Sequence, residues 1–90
     1  MRHRTTPRFW EHYRRLPNEV RELADKNFRL LQRDPKHPSL QFKKVGTVWS
    51  GRVGLAHRAL AVEDGEDFLW VWIGTHDDYD WMIMTGRRDR

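Results

Sequence analysis

The sequence predicts an α+β fold in which an N-terminal antiparallel helix pair packs on a small antiparallel β-sheet. Three observations predict it. Between Thr6 and Asp34 the apolar side chains recur at helical spacing, interrupted once by Pro17. From about Leu40 the spacing shifts toward a period of two. Turn signals at Gly51, Gly54 and Asp64-Gly65 then cut the remaining chain into short extended runs.

The first helix is expected to open at Thr6, an N-cap residue followed by Pro7 at the first helical position, where proline's missing N–H costs nothing. Phe9, Trp10, Tyr13 and Leu16 form one stripe, and Pro17 stops the run. A second helix follows, with Val20, Leu23, Ala24, Phe28 and Leu31 on its apolar face and Glu19, Arg21, Glu22, Asp25, Lys26 and Arg29 toward water. Asp34-Pro35 ends it, because the residue before a proline is pushed out of the helical region. Beyond the stiff link Pro35 to Ser39, strands are expected from about Leu40 through Lys43, over Val48 to Val53, and over His57 to Val62. Glu63 to Glu66 reads as a hairpin turn with Asp-Gly at its centre, leading into Phe68 to Ile73. That last run lacks alternation and is read as a central strand with both faces largely covered. The layout is one domain over 1–90: helix pair about 6–34, sheet about 40–75, C-terminal segment 76–90.

Composition narrows the class. A chain of 90 residues has room for one core, since so short a chain buries only about 60% of its unfolded surface. Hydrophobic residues make up 38% of it and charged residues 33%, too apolar in its blocks for disorder. Five Trp, four Phe and two Tyr must supply much of the core. The lack of Cys excludes a disulfide framework and a thiolate zinc site. Met1 to Arg4 carries no apolar signal, and the run Phe68 to Ile73 is too short to cross a membrane, so a soluble cytoplasmic protein without a membrane partner is expected. A net charge of +4 and a pI near 10.0 favour a polyanion or an acidic protein as partner, although a solvated basic surface has the same composition.

Three clusters could carry chemistry. Lys43 and Lys44 are adjacent on a strand, so they leave on opposite faces and only one can line a given groove. Either grips phosphate, or both guard an edge strand against aggregation. Arg52 and Arg58 fall on neighbouring strands, where two guanidinium forks could meet one phosphate. Arg58 interrupts an apolar strand, which calls for a function or for a carboxylate partner such as Glu63 or a C-terminal aspartate. The third cluster is His76 and Tyr79, following the last strand at Gly74. His76 can move a proton near neutral pH, and Tyr79 could do so beside cations. His76 with Asp77, Asp78 and Asp80 has the donor types of a hard-cation site, but the calcium-loop and zinc patterns are missing. No metal and no cofactor is expected.

In order and spacing, these pieces resemble the RelE/ParE superfamily of toxin components. They are Phe9-Trp10 through Leu16-Pro17, Ala24 through Leu31, Asp34-Pro35-Lys36-His37-Pro38-Ser39-Leu40 and Phe42-Lys43-Lys44-Val45, then Ser50-Gly51-Arg52-Val53-Gly54, His57-Arg58-Ala59-Leu60 and Trp72 through Asp80. The RelE-like branch implies a toxin of a type II toxin–antitoxin system that cuts mRNA on the ribosome without metal, by attack of a ribose 2′-hydroxyl on the adjacent phosphate. The resemblance then assigns phosphate binding to Arg52 and Arg58, the acid and base roles to His76 and Tyr79, and RNA contact to Lys43, Lys44 and Trp49. It also implies a cognate antitoxin as partner in a hetero-oligomer. The chain departs from the pattern at Ser50, where RelE-like enzymes often carry a second cation, and at Asp80, where some members carry one. The ParE-like branch implies inhibition of DNA gyrase without nuclease chemistry, and an inactive antitoxin-binding module is the third alternative.

Overall fold

In the computed structural model, which describes the backbone of residues 2–88 and the side chains of residues 2–84, the chain forms five strands and three α-helices. The last two positions of the expected C-terminal segment lie outside the described residues. Strand β1 (His3–Thr5) comes first, then α1 (Pro7–Arg14) and α2 (Asn18–Arg33). A short 3-10 turn at Pro38–Leu40 leads to β2 (Lys43–Val45), β3 (Val48–Val53), β4 (His57–Asp64) and β5 (Asp67–Thr75), and α3 (His76–Arg88) closes the described chain.

The first two helices start and stop where the sequence places them. The Thr6 side chain accepts a hydrogen bond from the Phe9 N–H, with Pro7 in the first turn. Pro17 separates α1 from α2, and Asp34 ends α2 in an extended conformation. Leu16 and Leu31 are buried, and Phe9, Tyr13, Val20, Leu23, Ala24 and Leu30 pack against them. Phe28, expected on the buried face of α2, stays exposed and meets the His3 ring edge-on, with centroids 5.5 Å apart.

The sheet has the order β1-β5-β4-β3-β2. Strands β2 to β5 form the expected antiparallel meander. Strand β1, which the sequence reading missed, pairs in parallel with β5, so the sheet is mixed. Arg4 bonds Asp64, Arg2 and Arg4 lie 3.6 Å from Asp67, and the Trp70 indole N–H donates to His3 Nδ1 at 3.1 Å. Leu40 does not begin a strand. It closes the 3-10 turn, and Gln41 takes a left-handed conformation with φ of 43° before β2 starts at Lys43. The β4–β5 turn has Gly65 and Glu66 at its centre, one residue later than expected, and Gly65 takes φ of +64° there.

The missing alternation in β5 has a specific cause. The β4–β5 register shifts between Leu60 and Ala61, whose partners are Trp72 and Trp70, so an extra residue sits in β5. Trp70 and Ile73 can therefore both enter the core with Val53, Ala59, Ala61 and Phe68, beneath the helix pair. The opposite face of the same strands carries the rows Ser50–Leu60–Trp72 and Arg52–Arg58–Gly74.

Candidate functional site

The face of the sheet away from the helix pair gathers most of the residues singled out from sequence. Arg52 and Arg58 are direct register partners across β3 and β4. Side chains paired in this way leave on the same face with Cβ atoms about 4.5–5.5 Å apart, and like charges so placed repel. Gly74 continues the row on β5, and a Cβ there would come within 2.5 Å of the Trp72 ring, so glycine keeps this row open. Lys43 pairs with Ser50 and belongs to this face.

Arg58 is 4% exposed. A charge so far out of water normally sits against a carboxylate. Among the described residues none lies within ion-pair distance. Of the expected partners, Glu63 and the aspartates at 77, 78 and 80 therefore do not pair with Arg58. Glu63 is engaged on the opposite face, and Asp80 pairs with His76. Instead, Arg58 Nε donates to Ser50 Oγ at 2.8 Å, and the guanidinium carbon lies 5.1 Å from the centre of the Tyr79 ring. A cation over an aromatic face is worth about 0.5–2 kcal/mol, rising with desolvation. That is less than the several kcal/mol that burial of a charge costs, and the bond to Ser50 offsets part of the remainder.

His76 and Tyr79 lie in a helix. They occupy the first turn of α3, and their separation of three puts them on neighbouring positions of one helical face, rings 5.8 Å apart. The Thr75 hydroxyl accepts the Asp78 N–H, and the His76 N–H donates to the Ala56 carbonyl at 2.7 Å. Asp77 and Asp78 suit the positive end of the helix dipole. The acidic string was legible as a helix start, but it reads equally as a solvated turn. Tyr79 is buried against Arg58, whereas His76 is half-exposed with its Nδ1 3.1 Å from Asp80. A carboxylate at Nδ1 favours the proton there and leaves Nε2 to exchange one with a substrate. Beside His76, a shallow depression of about 410 Å³ is formed with Leu55, Ala56, Thr75 and Asp77.

Two expected contacts lie elsewhere. Trp49 and Lys44 are register partners facing the helix-pair side, because both alternate away from Ser50 and Lys43. The Trp49 indole donates to Glu63 at 2.7 Å and stacks on Phe42, while Lys44 is 3.5 Å from Glu63. These contacts hold the Glu63 carboxyl below its usual range, with the indole bond the larger cause and Lys44 the next. Trp49 and Lys44, both expected to contact RNA, are thus placed with Glu63 on the other face of the sheet from Arg52 and Arg58.

Ser50, which the sequence marks only as a departure from the family pattern, is fully buried against Arg58. The donor atoms of His76, Asp77 and Asp80 lie within 4.8 Å of one another, all exposed, as is common for an acidic helix start. A more enclosed cavity of about 140 Å³ lies on the other side of the sheet, among Phe9, Trp10, Ala24, Phe42 and Ile73. Its surface is almost wholly apolar, although Tyr13 and Asp25, joined by a hydrogen bond of 2.9 Å, also line it.

No protein-family model matches the chain, and no curated protein matches it in sequence. Solved structures do. The RelB–RelE antitoxin–toxin complex from Methanococcus jannaschii superposes with a TM-score of 0.68 at 16% identity, over 87% of this chain and 96% of that one. A YoeB/ParE toxin from Agrobacterium tumefaciens gives 0.62 at 19% identity, covering 84% and 99%. The E. coli RelBE toxin–antitoxin complex gives 0.60 at 14% identity, covering 81% and 93%. The chain has the RelE/ParE fold. Among its described residues, no helix is long and apolar enough to cross a membrane.

Proposed function

We propose that this chain is the toxin of a toxin–antitoxin pair and cuts mRNA on the ribosome, by metal-independent transfer of a phosphodiester to the neighbouring 2′-hydroxyl. One observation carries the reading: Arg58, buried with no carboxylate beside it among the described residues, stands in register with Arg52, while His76 packs against the same Tyr79 ring that supports it. Two cations and a proton carrier on one face are what an in-line phosphoryl displacement requires. Arg52 and Arg58 hold the phosphate and neutralise the charge that builds as the O2′–P bond forms and the P–O5′ bond breaks. One proton leaves the 2′-hydroxyl and one reaches the departing 5′-oxygen. His76 and Tyr79 share those transfers, and Asp80 fixes the tautomer of His76. Lys43 contacts the RNA backbone from the same face. The similarity to toxins crystallised with antitoxins supports a cognate antitoxin as partner, bound over this face in a hetero-oligomer.

Primer extension on mRNA from ribosomes incubated with the purified chain tests the reading. New 5′ ends within codons, lost in Arg58→Ala, are expected. Equal cutting by the variant would remove the mechanism. The carboxylates of Asp77, Asp78 and Asp80 around His76 favour a second reading, since they oppose a polyanion. Under it the chain inhibits DNA gyrase without nuclease chemistry. Covalent gyrase–DNA complexes accumulating while the mRNA stays intact would select that alternative.

A further inference from the structure

Ser50 is 0% exposed, in the middle of a strand where β-branched apolar residues pack best. A hydroxyl with no access to water is costly unless it is bonded. Among the described residues its side-chain partner is Arg58 Nε, at 2.8 Å across the diagonal between β3 and β4. The two groups depend on each other, because Nε has no other acceptor among the described residues. The Tyr79 ring then bears on the guanidinium at 5.1 Å. A guanidinium tied at Nε and packed on a ring keeps one rotamer, and its two Nη groups are left as the donors for a ligand.

We propose that Ser50 is a positioning residue: its hydroxyl fixes the Arg58 guanidinium through Nε so that the Nη pair is already aimed when a phosphate arrives. A lysine at position 50 would instead place a second cation beside Arg58 and could not accept this bond. The chain thus exchanges one positive charge for a preorganised one. The catalytic consequence rests on the ribonuclease reading above, whereas the bond itself does not.

Two measurements separate them. In the 15N-labelled wild-type chain, the Arg58 Nε–H resonance, assigned by its disappearance in Arg58→Lys, is expected to exchange with water much more slowly than those of exposed arginines. Ser50→Ala should abolish that protection. Rapid exchange in the wild type overturns the proposal, even if Ser50→Ala fails to fold. On ribosomes programmed with mRNA, Ser50→Ala is expected to lower kcat about 10- to 100-fold, the value of a lost bond to a charged group, with little change in KM. In an Arg58→Ala background the same substitution should add nothing. An unchanged kcat in folded Ser50→Ala, or an equal loss in both backgrounds, overturns the positioning role. A wild-type chain that cuts no RNA defeats the ribonuclease reading alone, and the exchange rate then decides whether Ser50 holds Arg58.

Discussion

The two faces of one sheet, built from the same three strands, do opposite things. Toward the helix pair, β3, β4 and β5 present Val53, Ala59, Ala61, Phe68, Trp70 and Ile73, which bury against α1 and α2. Toward α3 they present Ser50, Arg52, Arg58, Leu60 and Trp72, with a buried cation in the middle. A two-residue side-chain period lets neighbouring positions face different surroundings, so Ala59 enters the apolar core while Arg58 meets Ser50 and Tyr79 on the other face. Adjacent residues of one strand can therefore be changed with separate consequences for the core and for the opposite face.

The largest expected effect is on the core face. Trp70→Ala should lower the free energy of unfolding by roughly 3–5 kcal/mol, read from urea denaturation. A loss below about 1 kcal/mol would mean that the helix-pair face does not carry the fold. Next comes Arg58→Met on the other face. It should cut RNA cleavage about 10²- to 10³-fold, as removal of one transition-state donor does. The same variant removes a buried charge but leaves the Ser50 hydroxyl without its partner, so its stability should stay within about 1–3 kcal/mol of the wild type. Strong destabilisation would break the comparison.

A smaller effect distinguishes the two lysines. Lys43→Ala should flatten the salt dependence of RNA binding by about 0.7 in the log–log slope, the contribution of one phosphate contact on a single strand. Lys44→Ala, paired with Glu63 on the other face, should leave that slope near its wild-type value. Equal changes would place both faces in contact with RNA.

The smallest concerns β1. Burial pulls the His3 pKa below its ordinary value, and the ring accepts the Trp70 N–H. Because the folded value lies below the unfolded one, the unfolded state binds more protons between them. Stability is then full above pH about 6.5 and is lost as the pH falls through the folded value. His3→Gln removes that titration. The wild type should lose more stability than the variant between pH 7 and pH 5, by about 1 kcal/mol or less, the size of one neutral bond. Parallel pH profiles would show that His3 does not hold the edge strand.

Local chemistry made much of the fold legible. Thr6-Pro7, Pro17 and Asp34-Pro35 act on their own neighbours, and each marks a helix boundary in the structure. Strand β1 gave no such signal: Arg2-His3-Arg4-Thr5 has no apolar alternation and is extended only because the β5 edge offers it a partner. The bulge opposite Leu60 and Ala61 is likewise a property of two strands together. For the site, the residue types were visible, and adjacent strand positions already implied that only one of Lys43 and Lys44 faces a given groove. Which of them does so, and which way Trp49 points, depended on the face that the helix pair covers.

By itself the sequence determined the α+β class, the two opening helices, the meander, and the presence of arginines, a histidine and a tyrosine able to act on a phosphate. Those follow from periodicity, caps and side-chain chemistry, which act over a few residues. Only the tertiary structure decided that Arg58 is buried with no carboxylate beside it among the described residues, that Ser50 bonds it, and that Tyr79 packs on it from a helix. Burial and partnership are set by residues distant in the chain, and no local pattern records what will stand on the other side of a side chain once strands and helices have packed.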